Sequence, residues 1–167
     1  MRLAAGRLGR GGGSELLHQG HDPRRRLCAL LQPVVRTVEV NPVHAEFARD
    51  WVGRSDVADR VEVFTGDGRE VLPTFDAESA DAAFIDADKS GYQFYLRQCL
   101  RILRPGGLIM VDNAFAFGQI LDMDVEDESV EALRAFNLSM AGTKGLRSII
   151  VPLGDGCWVG VKPRAGE

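Results

Sequence analysis

Six short apolar or β-branched runs alternate with amphipathic stretches along this chain, and two of them stop abruptly at an acid. The runs lie at 34–40, 61–64, 82–86, 108–112, 146–152 and 157–162. Short apolar runs bounded by turn signals fit strands covered on both faces. Between them, Asn41-Pro42 reads as a helix cap followed by a good first helical residue. It predicts a helix to about Arg54, with Val43, Phe47, Ala48 and Trp51 on its apolar face. Gly66-Asp67-Gly68 is a turn leading into a short helix ended by Pro73. A further helix over 91–103 is stopped by Arg104-Pro105-Gly106-Gly107, and another spans about 130–140. Gly154-Asp155-Gly156 marks a hairpin between the last two strands. Strand and helix alternate, so the expected class is α/β, a mostly parallel sheet with right-handed crossovers and an antiparallel C-terminal hairpin.

Residues 1–33 do not share this pattern. Gly6, Gly9, Gly11, Gly12, Gly13 and Gly20 depress both helix and strand propensity. The segment is expected to be poorly ordered or non-native, with at best a short helix around Leu16 and Leu17 and a last helical turn over 27–32. The α/β domain is expected over 34–167.

Composition narrows the function classes. At 167 residues the chain suffices for one domain with a core, and 45% hydrophobic and 26% charged residues are ordinary for a globular protein. The net charge of −4 divides unevenly: residues 1–26 carry six Arg against Glu15 and Asp22. The remainder is therefore acidic, which argues against nucleic acid as the main partner. No apolar run approaches a membrane span, so no membrane partner is expected. Cys28, Cys99 and Cys157 form no metal or redox motif, and reduced thiols in a cytoplasm are the simplest reading.

The chemistry gathers where strands end, because ligands of parallel sheets bind beyond the carboxyl ends of the strands. Glu39 is placed to hydrogen-bond a ribose, or is an exposed acid at a turn. Asp67 can accept from an adenine amino group, or shape its own turn. Asp86, Asp112 and Asn113 close two consecutive strands, and three oxygen donors there suit a hard divalent cation such as Mg²⁺. Lys89 follows Asp86 at a helix start. It reads as a solvated lysine or, beside a cation that lowers its pKa, as a general base. Phe115 and Phe117 either wall a flat substrate or pack their loop down. Trp51, Tyr92 and Trp158 read as core or core-edge residues, and His18, His21 and His44 receive no role.

Taken together, V-E-V-N-P around Glu39, G-D-G at 66–68, F-I-D-A-D-K-S-G-Y at 84–92, L-R-P-G-G-L-I-M-V-D-N at 103–113, R-A-F-N at 134–137 and the closing P-L-G-D-G resemble the cation-dependent class I O-methyltransferases. That family includes catechol and caffeoyl-CoA O-methyltransferases and bacterial relatives. The resemblance implies a Rossmann-like fold, S-adenosylmethionine as methyl donor, Mg²⁺ or another divalent cation, and a small acceptor, a vicinal-diol aromatic fitting best. It implies Glu39 as the ribose acid, Gly66 and Asp67 as adenine-side contacts, and Asp86, Asp112 and Asn113 as metal ligands. Lys89 matches the catalytic lysine, and Asp86 is assigned beside it and on the cofactor side as well. The family's first strand and its E-x-G-x-x-x-G loop are not found ahead of Glu39, nor are its N-terminal helices. Either residues 1–33 are not the native N-terminus, or the chain is a truncated relative, catalytically inactive, that acts as a remnant or binding module. A homodimer remains open, and a dinucleotide-dependent oxidoreductase is disfavoured.

Overall fold

The computed structural model describes residues 2–7, 34–164 and 166. The helices expected near Leu16 and over 27–32 lie outside the described residues.

Seven strands form one sheet in the order β3-β2-β1-β4-β5-β7-β6. They are β1 (Arg2–Arg7), β2 (Val34–Glu39), β3 (Val61–Thr65), β4 (Ala80–Asp86), β5 (Leu103–Val111), β6 (Arg147–Val151) and β7 (Cys157–Val161). The helices are α1 (Pro42–Gly53), α2 (Gly68–Val71), α3 (Tyr92–Ile102) and α4 (Glu128–Gly142). β2 pairs in parallel with β3, and β4 with β5. The hairpin closes the far edge with β7, not β6, lying against β5, antiparallel to both. The α/β class and the antiparallel hairpin are those expected from the alternating pattern.

Three features differ from the sequence reading. First, a strand does precede Val34. β1 fills the slot between β2 and β4 and runs antiparallel to both, with Arg7 paired to Val34 and Arg2 to Asp86. Its sequence, R-L-A-A-G-R, has no β-branched residue, so propensity gives no signal. The two flanking strand edges supply its hydrogen bonds instead. The chain leaves β1 at the end of the sheet opposite Glu39 and Asp86.

Second, α1 does not bury its apolar face. Asn41 caps it as expected, with Oδ1 accepting from the Val43 and His44 amides. Yet only Ala45 is buried, while Val43, Phe47 and Trp51 are 69%, 64% and 58% exposed. Trp51 is therefore not a core residue. Spacing of apolar residues shows that a helix has an apolar face, not that something covers it. Third, Arg104-Pro105-Gly106-Gly107 ends α3 by passing straight into β5, with a register shift in the β4–β5 ladder.

The core sits over β4 and β5. α3 buries Tyr92, Tyr95, Leu96, Cys99 and Ile102, and α4 buries Val130, Leu133, Phe136 and Met140. Against them lie Ile85, Ile109 and Val111, all fully buried. Tyr92 and Phe136 meet edge to face at 5.1 Å between ring centres, a favoured aromatic geometry. This packing holds the tips of β4 and β5 on a rigid base.

Candidate active site

Asp86 and Asp112 leave the sheet side by side. Ile85 pairs with Val111 in the parallel ladder, and the Asp112 amide donates to the Ile85 carbonyl at 3.0 Å, so the acids follow on strands roughly 4.8 Å apart. Asn113 comes next, in the left-handed region at φ 63°, where Asn is tolerated better than most side chains. Its amide donates to Asp112 Oδ1 at 2.8 Å. Asp86, Asp112 and Asn113 thus stand at one end of two neighbouring strands.

Lys89 reaches this point from the turn before α3. Its ammonium donates to Asn113 Oδ1 and to the Tyr92 hydroxyl, the latter at 2.6 Å. The Tyr92 hydroxyl in turn donates to the Asp112 carbonyl at 3.3 Å. Burial pushes the Lys89 pKa below its ordinary value, against the opposing pull of Asp86, Asp112, Asp155 and Asp88. Desolvation by itself thus disfavours the ammonium form, without any cation. Asp88 fixes the turn that carries Lys89: it accepts from Tyr95 at 2.7 Å, Ser90 at 2.9 Å and Arg69 at 3.1 Å. Burial raises the Asp88 pKa, and these bonds outweigh it and hold the carboxyl below its usual range.

Of Asp86, Asp112 and Asn113 it is Asn113, through Oδ1, that accepts from the Lys89 ammonium. Two carboxylates and an amide oxygen are hard donors, the chemistry of Mg²⁺ and not of a soft metal. Among the described residues no group of three His, Cys, Asp or Glu side chains is gathered for a metal; this set has two acids and an amide.

Asp155, in the β6–β7 turn, is a site residue that the sequence hides, because G-D-G also spells a hairpin. Its Oδ2 accepts from Asn113 Nδ2 at 3.1 Å and its Oδ1 from the Phe117 amide at 2.5 Å. R-A-F-N serves the same loop. Arg134 donates to the carbonyls of Gln119, Ile120, Asp122 and Val125. Asn137 donates to the Ala114 carbonyl at 2.8 Å and accepts from the Trp158 indole at 2.7 Å. Phe115 is partly buried against the core, whereas Phe117 is 83% exposed. Both line a shallow hollow of about 610 Å³ with Ile120 and Leu121.

On the other side of Asp86 lies an open groove of about 840 Å³, lined by Glu39, Thr37, Val43, His44, Phe47 and Asp86 among others. Glu39 Oε1 accepts from the Asn41 amide at 2.8 Å, and the Glu39 carbonyl accepts from the Gly66 amide at 3.0 Å. Gly66 has φ 154°, and a Cβ there would meet Val71 at 3.0 Å, so this strand end is shaped by a glycine. Asp67 caps α2, with Oδ1 accepting from the Arg69 amide at 2.8 Å, and pairs with the Arg69 guanidinium at 3.5 Å. It is not among the residues lining the groove. Asp86 is the residue shared between groove and donor set.

Residues 32–162 match the family described as O-methyltransferase. The chain belongs to that family. It is 34% identical to a catechol O-methyltransferase of Niastella koreensis over 133 residues, 78% of this chain and 58% of that protein. It is 40% identical over 104 residues to a catechol O-methyltransferase of Mycobacterium tuberculosis, covering 62% of this chain and 47% of that one. The crystal structure of a Bacillus cereus O-methyltransferase in complex with SAH superimposes with a TM-score of 0.69 at 30% identity, over 76% of this chain and 61% of that chain. The chain thus spans about three-fifths or less of these proteins. Among the described residues, no helix is long and apolar enough to cross a membrane.

Proposed function

We propose that the chain serves methyl transfer from S-adenosylmethionine to a hydroxyl of a small acceptor, a vicinal-diol aromatic fitting best, at a site that takes a divalent cation. The observation that carries this reading is the convergence of Asp86, Asp112, Asn113 and Lys89 beside an open groove bordered by Glu39. The family, and a relative solved with SAH, support it.

In this reading Glu39, with Gly66 beside it, borders the seat of the donor's ribose, and Asp86 separates that groove from the acceptor side. Asp67 belongs to the adenine side, although its carboxylate also serves as the cap of α2. Asp86, Asp112 and Asn113 hold the cation, and Phe115 and Phe117 present an apolar wall to the acceptor. A bound divalent cation supplies the charge that makes an acceptor hydroxyl more acidic. Lys89, its ammonium form already disfavoured by burial, accepts the hydroxyl proton at Nζ, and Tyr92 and Asn113 keep Nζ aimed at that place. S-adenosylmethionine supplies the sulfonium methyl, whose carbon–sulfur bond breaks as the oxygen–carbon bond forms. The rigid base of α3 and α4 holds the acceptor-side groups in fixed register, which is where positional catalysis originates.

A second reading, a non-catalytic binding module, is favoured by one observation: the strand between β2 and β4 runs antiparallel to both, with Arg7 paired to Val34 at the end of the sheet away from Glu39 and Asp86. Calorimetric titration with S-adenosylmethionine separates the two. Micromolar binding supports the methyltransferase; no heat at millimolar donor rejects it and leaves the module.

A further inference from the structure

We infer that Asp155 is a positioning residue: it sets which end of the Asn113 amide faces the cation seat. This rests on the proposed metal site. An amide has two ends of nearly equal shape and opposite character, an accepting oxygen and a donating NH₂. Only the oxygen can ligate a hard cation. Asn113 Nδ2 donates to Asp155 Oδ2 at 3.1 Å while Asn113 Oδ1 faces the Lys89 ammonium. A carboxylate accepts and does not donate, so a flipped amide would set oxygen against oxygen. Asp155 therefore rejects the wrong orientation as well as favouring the right one.

An Asp in a hairpin turn ordinarily bonds its own neighbouring backbone. Here both carboxylate oxygens face a loop 38 to 42 residues away in sequence. Oδ1 accepts from the Phe117 amide at 2.5 Å, where the backbone sits at φ 52°, a strained place for a bulky side chain. The Asp155 carbonyl accepts from the Phe115 amide and the Gly156 carbonyl from the Ala114 amide, each at 2.9 Å. Gly156 permits this approach, since a Cβ there would lie 2.7 Å from the Phe115 ring. The strained loop and the ligand amide are thus held by one side chain, in the manner of the outer partners that orient metal ligands elsewhere.

The test uses the full chain, the single variant Asp155→Asn, and the double variant that combines Asn113→Asp with Asp155→Asn, with Mn²⁺ binding read by electron paramagnetic resonance. In the single variant, position 155 offers an NH₂ that draws Asn113 Oδ1 away from the cation. Mn²⁺ affinity should fall about 10- to 100-fold. The double variant should restore it, because the amide now at position 155 donates to a carboxylate at position 113. Unchanged affinity in Asp155→Asn, or no recovery in the double variant, overturns the proposal. A second readout needs no metal: the Asn113 side-chain amide pair in ¹⁵N-correlated spectra should shift and exchange faster in Asp155→Asn. A simple loss of nearby charge would leave the hydrogen-bonded amide signal in place, and that result also counts against the proposal. If the wild type binds no Mn²⁺ while the amide pair still responds to Asp155→Asn, the metal-site reading fails and the positioning role stands.

Discussion

The two halves of the sheet are built to different standards. On the β4-β5-β7 side, donors and base are linked into one hydrogen-bonded set through Lys89, Tyr92, Asn113 and Asp155, over a core that includes Ile85, Val111 and Phe136. On the β2-β3 side, Glu39 borders an open groove whose helix leaves Val43, Phe47 and Trp51 largely exposed. The first half is over-determined: Lys89, Asn113 and Asp155 each have partners that fix them before any ligand arrives. The second offers an apolar wall and an acid with little packing behind them. In the proposed function this makes the acceptor side preorganised, while the methyl-donor side depends on what fills the groove.

Substitutions should report this difference. The largest effect belongs to Asp112→Ala, which should remove cation-dependent turnover by more than the roughly 100-fold typical of outer-shell changes, with the melting curve little altered. Retained turnover would detach the metal from the β5 tip. Lys89→Met should lower kcat by about 10²- to 10⁴-fold while moving the acceptor KM far less; steady-state kinetics reads the two separately, and a change in KM alone would remove the general-base role. Phe136→Ala should cost about 3–5 kcal/mol in denaturant unfolding, because its fully buried ring packs on Tyr92 beneath Lys89. Phe47→Ala, in contrast, should change stability by less than about 0.5 kcal/mol, its ring being 64% exposed. A large loss at Phe47 would mean that the groove side is packed after all.

The better-built half is also the half that is legible from sequence. Strands that end in Asp86 and Asp112 are visible as apolar runs cut off by acids, and parallel neighbours necessarily bring those ends together. The Asn41-Pro42 cap is equally local. What escapes has a tertiary cause in each case. β1 exists because two flanking edges need a partner, and R-L-A-A-G-R carries no propensity that announces it. The stripe Val43, Phe47, Trp51 reads the same whether or not anything packs on it. Asp155 looks like turn chemistry until the loop carrying Asn113 and Phe117 is seen against it. Arg134 and Asn137 are legible as a motif, but their work, pinning that loop through its carbonyls, becomes visible only once the loop's path is known.

The proposed function stands on Asp86, Asp112 and Asn113 holding one divalent cation. Calorimetric titration of the full chain with Mg²⁺, alongside Asp86→Ala and Asp112→Ala, tests it most directly. A single site in the wild type should disappear in either variant; equal binding by all three proteins, or none by the wild type, would rule the cation site out.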